Sequence, residues 1–301
     1  MSLSLRQIRY FLAAAEKGQI SLAAASLNVS QSTVTGALQQ LELDLGVSLF
    51  RRLPSGVELT PEGSRFLTHA RNVMAAVTAA QRAPLTEDRA LRGVVRVGVT
   101  YTVAGYFLSP HYARFARAYP DIRVELTESP RPAIEQGLKD DAFDVAVMLV
   151  SNLQDQAALA SEILFRSRRR LWLPVEHPLL SAESVDFADV ARAPYVMLTV
   201  DEANQTASKY WRPSGLSPNV IFVTSSVEAV RSMVADGLGV TILSDMVYRP
   251  WSLEGQRIEQ RNLATPVPTM DVGLAWRRGK KLGSAARAFA DFLSLSVNRG
   301  S

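Results

Sequence analysis

The 301-residue sequence predicts a small helical domain with a two-stranded β wing, then one long linking helix, then an α/β domain of two lobes. Three observations carry that expectation. Two short helical patterns are joined by a tight turn near the start of the chain. A stripe of apolar residues then recurs at helical spacing for about five turns. From Gly93 onward, strand patterns alternate with helical ones.

The stretch from Ile20 to Thr35 reads as a helix-turn-helix. Ser21 is placed to cap its first helix, and Ala23, Ala24 and Leu27 give that helix a small apolar face. Asn28 ends it, and Ser30 caps the second helix. Val29 and Val34 have the spacing of a hydrophobic staple, and Val34, Leu38 and Leu41 line one face at helical period. The opposite face carries Gln31, Ser32, Thr33, Thr35, Gln39 and Gln40. A helix face that is polar, rich in hydrogen-bonding groups and nearly uncharged suits base edges in a major groove. An ordinary solvated hairpin can look the same, and the next residues favour the first reading. Leu45 to Arg52 is a turn with Arg51 and Arg52 behind a buried Phe50, and Gly56 to Thr60 reads as a short strand. Together they form a wing that puts both arginines against phosphate or minor groove. The candidate DNA-binding residues are therefore Ser30, Gln31, Ser32, Thr33, Thr35, Arg51 and Arg52.

Thr60 caps the long helix, with Pro61 at its first position. Phe66, Leu67, Ala70, Val73, Met74, Val77 and Ala80 make its stripe, and one apolar stripe on a long helix needs a partner. A homodimer seam through residues 61–80 follows. A polar stretch with a helix-ending proline, Ala83 to Asp88, then marks a hinge.

Beyond it, Val94 to Val99, Ile122 to Leu126 and Asp144 to Leu149 read as strands, with helices from Tyr106 to Tyr119 and from Pro132 to Lys139. The alternation implies a parallel sheet with right-handed crossovers. Arg170 to Pro174, Tyr195 to Leu198, Asn219 to Val223 and Val240 to Leu243 supply strands of a second lobe. Val272 to Trp276 and a helix from Ser284 to Leu295 return to the first. Ligands of such folds bind beyond the carboxyl ends of strands, near helix N-termini. The residues there are Thr100, Tyr101, Thr102, Ser129 and Met148 in one lobe and Thr199, Asp201, Ser225 and Ser226 in the other. A hydroxyl at a helix start is often only a cap. Its recurrence at equivalent strand ends of both lobes favours a pocket, where free N–H groups would hold a carboxylate and Tyr101 and Met148 would cover an apolar body. The run from Arg166 to Arg170 reads as a solvated strand edge whose charge discourages edge pairing, in preference to an anion or DNA site.

The first ninety or so residues resemble the N-terminal region of LysR-type transcriptional regulators. The matching features are Leu5 to Phe11, Ala23-Ala24 with Leu27, Val29-Ser30-Gln31-Ser32 with Val34-Thr35, Leu41-Glu42, Leu45-Gly46-Val47 with Leu49-Phe50 and Arg52, and Leu59-Thr60-Pro61-Glu62-Gly63. One departure stands out: the family often carries Arg or Lys where this chain has Gly36, which removes a phosphate or guanine contact there. The remainder has the family's length and order. The resemblance implies an effector domain with the fold of periplasmic binding proteins. The domains would be a winged helix-turn-helix at 1–60, a dimerisation helix at 61–82, a hinge at 83–92, lobe I at 93–165 and 267–301, and lobe II at 166–266. It also implies double-stranded DNA as partner and a homotetramer formed when effector domains pair. A small organic effector, such as an organic or aromatic acid, would bind between the lobes.

Composition is consistent with this. Formal net charge is +4, and the first ninety-two residues hold ten basic groups against seven acidic ones, so most of the excess sits in the DNA-binding third. Dimerising doubles the phosphate contacts of such a weakly basic unit. No cysteine is present, which excludes disulfides, thiol catalysis, thiolate metal sites and thiol redox sensing. His69, His111 and His177 are too scattered for a metal site. No apolar run would span a bilayer, and Arg6 and Arg9 interrupt any signal-peptide pattern, so a cytoplasmic location with no membrane contact is expected. There is no G-x-S-x-G, H-E-x-x-H, P-loop or post-strand G-x-G-x-x-G, so neither an enzyme nor a cofactor is expected. Gly237-Leu238-Gly239 follows a helix and reads as a C-cap turn. A plain solute-binding module would account for the α/β part but not for the winged helix-turn-helix.

Overall fold

The computed structural model describes residues 3–53, 56–82 and 91–297, so most of the expected hinge at 83–92 lies outside the described residues. The chain forms two units, residues 1–90 with 292–301, and residues 91–291.

In the first unit α1 (Leu5–Lys17) opens with a reciprocal cap between Ser4 and Gln7 and ends at Gly18, which takes a left-handed φ of 65°. Next comes α2 (Ile20–Ser26). Its N-cap is Gln19, not Ser21 as the sequence suggested: Gln19 is already extended and its carbonyl accepts from the Ala23 N–H at 3.0 Å. Asn28 turns the chain at φ 54°, and Ser30 caps α3 (Gln31–Leu45) by accepting from the Thr33 N–H at 3.1 Å. Ile8, Phe11, Ala14, Ala23, Val34, Leu38 and Leu41 form the core beneath them, with Val29 packed against it.

The wing is β1 (Phe50–Leu53) paired antiparallel with β2 (Gly56–Leu59). Leu49 is its fully buried residue, and Phe50, expected to be buried, is only half covered. The wing is seated at two points. The Val57 N–H donates to the Gly18 carbonyl at 2.8 Å, and a Cβ on Gly56 would lie 2.1 Å from that same oxygen, so only glycine allows the approach. From Thr60, whose hydroxyl accepts from the Gly63 N–H at 2.9 Å, α4 (Pro61–Arg82) begins. Phe66, Leu67, Ala70 and Met74 pack into the unit's own core, while Val73 stays 38% exposed. The stripe therefore serves two purposes, and the part left for a partner is narrower than its sequence suggests.

The second unit begins with β3 (Gly93–Val99). The helix expected from Tyr106 starts five residues earlier, as α5 (Tyr101–Val103), and widens into a π turn at Ala104–Leu108 before α6 (Ser109–Ala118). Pro110, which has no N–H to give the preceding turn, follows directly. Then come β4 (Ile122–Glu128), α7 (Arg131–Lys139), β5 (Val145–Leu149), β6 (Leu159–Ser167), β7 (Arg169–Pro174), α8 (Phe187–Arg192), β8 (Pro194–Leu198), α9 (Ala203–Trp211), β9 (Asn219–Thr224), α10 (Val227–Ala235), β10 (Thr241–Ser244), β11 (Ile258–Arg261), β12 (Met270–Arg277) and α11 (Ser284–Val297).

Lobe I is a five-stranded sheet in the order β4-β3-β5-β12-β6. It is mixed, not parallel: β3 runs parallel to β4 and β5, whereas β12 runs antiparallel to β5 and β6. The reason is topological, since β12 returns from the other lobe and no βαβ crossover fixes its direction. A register shift at Val272/Gly273 breaks the alternation of β6 against β12, which hides β6 in the sequence. Lobe II has an antiparallel sheet in the order β10-β7-β11 and a parallel pair β8-β9, joined by a bridge between Tyr195 and Val240. The arginine run divides: Arg166 is exposed on β6, an edge strand of the lobe I sheet as expected, whereas Arg169 and Arg170 lie on β7, the central strand of its sheet. The last residues of α11, from Phe292, group with the first unit. Among the described residues no helix is long and apolar enough to cross a membrane, and no cluster of His, Asp or Glu could hold a metal ion.

On α6, burial with Arg114 alongside pushes His111 down to about 4. Its Nδ1 accepts from the Arg114 guanidinium at 2.8 Å, which requires the neutral ring. The native pKa lies below the unfolded value, so this stabilisation is complete above about pH 6.5 and is lost as pH falls toward 4. The loss is about 3 kcal/mol over that window. Urea melts at pH 7 and pH 4.5 are expected to show it, with the difference reduced in His111→Phe.

Candidate nucleic-acid interface and effector cleft

On α3, Gln31, Ser32, Thr33, Gln39 and Gln40 are exposed and Thr35 is half-exposed, all on the side away from Val34, Leu38 and Leu41. The Ser30 hydroxyl lies 2.9 Å from that of Ser32 and 2.7 Å from that of Thr33. These groups gather at the positive end of a fifteen-residue helix, where an anion or a base edge is well received. Nothing lies within 4 Å of a Cβ built on Gly36, so neither packing nor backbone requires glycine there.

Glu42 joins the helix to the wing. Its Oε1 accepts from the N–H of Leu49 at 2.6 Å and of Phe50 at 3.0 Å. A carboxylate accepting two backbone bonds is a strong link, and the seven- and eight-residue separation puts it beyond any local sequence signal. The two wing arginines differ. Arg51 is paired with Glu58 at 2.5 Å, both being exposed. Arg52 is exposed and has no acidic partner among the described residues, so its charge is available to phosphate.

In the second unit the lobes meet over a cavity of ≈ 40 Å³ whose walls come from both. Lobe I gives Thr102, Leu149, Asn152 and Met270, and lobe II gives Arg169, Leu198, Val200, Asp201, Thr206, Tyr210, Ile242 and Ser244. Thr102 donates its N–H to Asp201 Oδ2 at 2.8 Å and its hydroxyl to the same oxygen. Asn152 donates to the Asp201 carbonyl at 2.9 Å, and Arg131 donates to Glu202 at 2.9 Å and to Glu135 at 2.9 Å. Asp201 and Glu202 both hold positive φ, 49° and 58°. That conformation is uncommon for side chains of this kind and concentrates where geometry serves a site. A second bridge runs from the Tyr106 hydroxyl of lobe I to Glu228 of lobe II at 3.0 Å, with Arg249 lying 5.4 Å from the Tyr106 ring centre. Burial would raise the Glu228 pKa, but the hydrogen bond and charge of Arg231 and the Tyr106 hydroxyl outweigh it and hold it below the usual range.

Of the nine residues expected around an effector, the cavity is lined by Thr102 and Asp201, and the carboxylate that meets the Thr102 N–H is the chain's own. The other seven lie elsewhere. Met148 is fully buried in the lobe I core with Ile134 and Leu138, and its neighbour Leu149 faces the cavity instead. Thr100 is buried with its hydroxyl unpartnered, and Tyr101 is 44% exposed. Ser129 is half-buried, its N–H bonded to the Val99 carbonyl at 3.0 Å. Thr199 donates to the Thr224 carbonyl at 3.2 Å, Ser225 is exposed, and Ser226 caps α10 by accepting from the Ala229 N–H at 3.1 Å. Thr100, Ser129 and Ser226, expected to share one cavity, do not line this one. The last two serve their own strand ends and helix starts, as caps commonly do. Asn152, Arg169, Thr206 and Ser244 were missed. Arg169 had a signal in the arginine run, but choosing it among four arginines required knowing which strand it joins.

Comparison with known proteins bears on both halves. Residues 5–64 match the family model described as bacterial regulatory helix-turn-helix protein, lysR family, and residues 88–296 match the LysR substrate binding domain. GltC of Bacillus subtilis, a transcriptional dual regulator, is 25% identical over 97% of this chain and 96% of its own length. A probable hydrogen peroxide-inducible genes activator of Mycobacterium avium is 29% identical over 95% of this chain and 92% of its own. The crystal structure of HinK, a LysR family transcriptional regulator from Pseudomonas aeruginosa, superposes with a TM-score of 0.62 at 28% identity, covering 97% of this chain and 98% of that one.

Proposed function

The chain belongs to the LysR family of DNA-binding transcriptional regulators with an effector-binding domain, and from that premise we propose how its parts divide the work. Ser30, Gln31, Ser32, Thr33 and Thr35 face base edges in the major groove. Arg51 and Arg52 hold the backbone, Arg52 with the larger share because Glu58 already offsets Arg51. A small organic effector binds between the lobes beside Thr102 and Asp201, and the protein acts by binding, not by turnover. The observation that carries this reading is the exposed polar face of α3, tied through Glu42 to a wing that bears an unpaired arginine.

Replacing Thr35 with alanine is expected to change which sequences are preferred, and replacing Arg52 with alanine to weaken all of them alike. The Arg52 variant should also flatten the salt dependence by about one unit of log–log slope per lost phosphate contact. Fluorescence anisotropy with a set of genomic fragments at several salt concentrations measures both. Equal effects of the two changes on every sequence would remove Thr35 from base readout.

The homodimer forms through the part of 61–80 that the first unit leaves uncovered, around Val73 and Val77. Val77→Asp buries a charge in that seam, costs about 3–5 kcal/mol and splits the dimer; sedimentation velocity that returns the wild-type mass would refute it. Pairing of effector domains into a tetramer is supported by β9. This strand pairs with β8 on one side, and its Val220, Ile221, Phe222 and Val223 are between 39% and 57% exposed. An apolar strand with an open edge is a ready surface for a second chain.

A further inference from the structure

We propose that the interlobe cavity selects a carboxylate, and that Arg169 supplies its counter-charge with Ser244 as hydrogen-bond donor. This rests on the reading of the cleft as the effector site and names the ligand's chemical class and the residues that recognise it. The two side chains sit directly opposite one another in the β7–β10 ladder, Ser244 against Arg169, and both line the cavity.

Arg169 differs from the arginines around it. Arg166 pairs with Asp271 at 3.5 Å and Arg170 with Asp245 at 3.2 Å. Among the described residues Arg169 has no carboxylate within 4 Å, and its hydrogen bond goes to a carbonyl, that of Pro268. Arg169 is half-buried, and burial lowers its pKa more than the distant charge of Asp271 restores it. Guanidinium carries five N–H donors, so most of its capacity is unspent. Leaving a cation in that state is costly unless something pairs with it. Beside it, Ser244 is 2% exposed and its hydroxyl has no partner, although a buried hydroxyl nearly always has one. One guanidinium and one hydroxyl match a single negative charge with two acceptor oxygens. A doubly charged oxyanion would exceed that single positive charge and would share the cavity with Asp201. The other polar groups of the lining are already engaged, Thr102 with Asp201, Asn152 with Thr206 and the Tyr210 hydroxyl with the Ile242 carbonyl. The remaining lining, including Leu149, Leu198 and Met270, is apolar. The ≈ 40 Å³ of space admits about three waters, so a carboxylate fits as it stands and an apolar body enters as the lobes part.

The test uses the full-length protein and calorimetric titration with straight-chain monocarboxylates from acetate to octanoate, with benzoate, and with the amide of each. At least one acid is expected to bind, and its amide to bind roughly tenfold to hundredfold more weakly, as loss of a charge-assisted pair predicts. Arg169→Met should erase the difference between acid and amide, and Arg169→Lys should keep part of it. Without ligand, Arg169→Met should melt at or above the wild-type temperature, because a half-buried charge with no carboxylate within 4 Å has been removed; a purely structural arginine would give the opposite. No binding by any acid, equal binding of acid and amide, unchanged affinity in Arg169→Met, or a clearly lower melting temperature of that variant overturns the proposal. A gel shift of the wild-type protein on genomic fragments separates the two readings: DNA binding without acid binding leaves the regulator standing and removes the anion site.

Discussion

Gly63→Ala abolishes DNA binding while the α/β unit stays folded. A Cβ at this position would lie 2.0 Å from the Leu49 carbonyl oxygen and 3.0 Å from Leu59 Cδ2. The obstacle is backbone, and it is backbone with a task, since the same oxygen accepts from the Thr60 N–H at 3.0 Å. Either α4 backs away from the wing or that bond breaks, at about 3 kcal/mol. A domain this small has little stability to spare. Its calorimetric transition is expected to fall by roughly 10–20 °C, with the larger transition unmoved. Gly36→Ala makes the natural control, because it sits in a helix with open space around it and should stabilise by about 1 kcal/mol. If Gly63→Ala melted and bound DNA like wild type, the close approach would not be what seats the wing.

Asp201→Gly loosens the two lobes. Glycine keeps the φ of 49° without strain, so the change isolates the carboxylate. It removes both bonds from Thr102 and leaves a buried hydroxyl and N–H to find other partners. The expected loss is about 3 kcal/mol, which lowers the melting temperature of the larger transition by roughly 6–12 °C. Small-angle scattering should show an increase in dimension confined to the effector domain. Asp201→Asn, which keeps an acceptor oxygen, is expected to recover most of the stability. A glycine variant as stable and as compact as wild type would show that Asp201 does not hold the lobes.

The helix-turn-helix was legible because its signals are local. Asn28, Ser30, the Val29–Val34 pair and Thr60-Pro61 each fix a boundary within a few residues of themselves. What escaped was set by distant partners. Glu42 gives no hint of its role until the wing is in place. Val145 to Leu149 is apolar throughout and buried on both faces, so it lacks the alternation that would have told Met148 from Leu149. Of the strand ends read as the cleft, only those bearing Thr102 and Asp201 supply residues to the cavity lining. The hydroxyls expected to meet a ligand were drawn largely into caps, and the cation that meets the cavity was concealed in a run of arginines whose other members are paired or exposed. Thr102 and Asp201, both expected beside a ligand, line the cavity and are bonded to one another, Thr102 donating and Asp201 accepting.

The bonds from Glu42 to Leu49 and Phe50 have a mechanical consequence. They make α3 and the wing one solid piece, so the span between the two surfaces offered to a duplex cannot adjust. When such a piece docks, the duplex must do the adjusting. Sequences whose groove width and bending stiffness already suit that fixed span are engaged with less distortion than those that must be reshaped. A regulator built this way is expected to discriminate partly by how DNA yields, at base pairs that no side chain reaches, which relative affinities for operators altered only at such positions would measure.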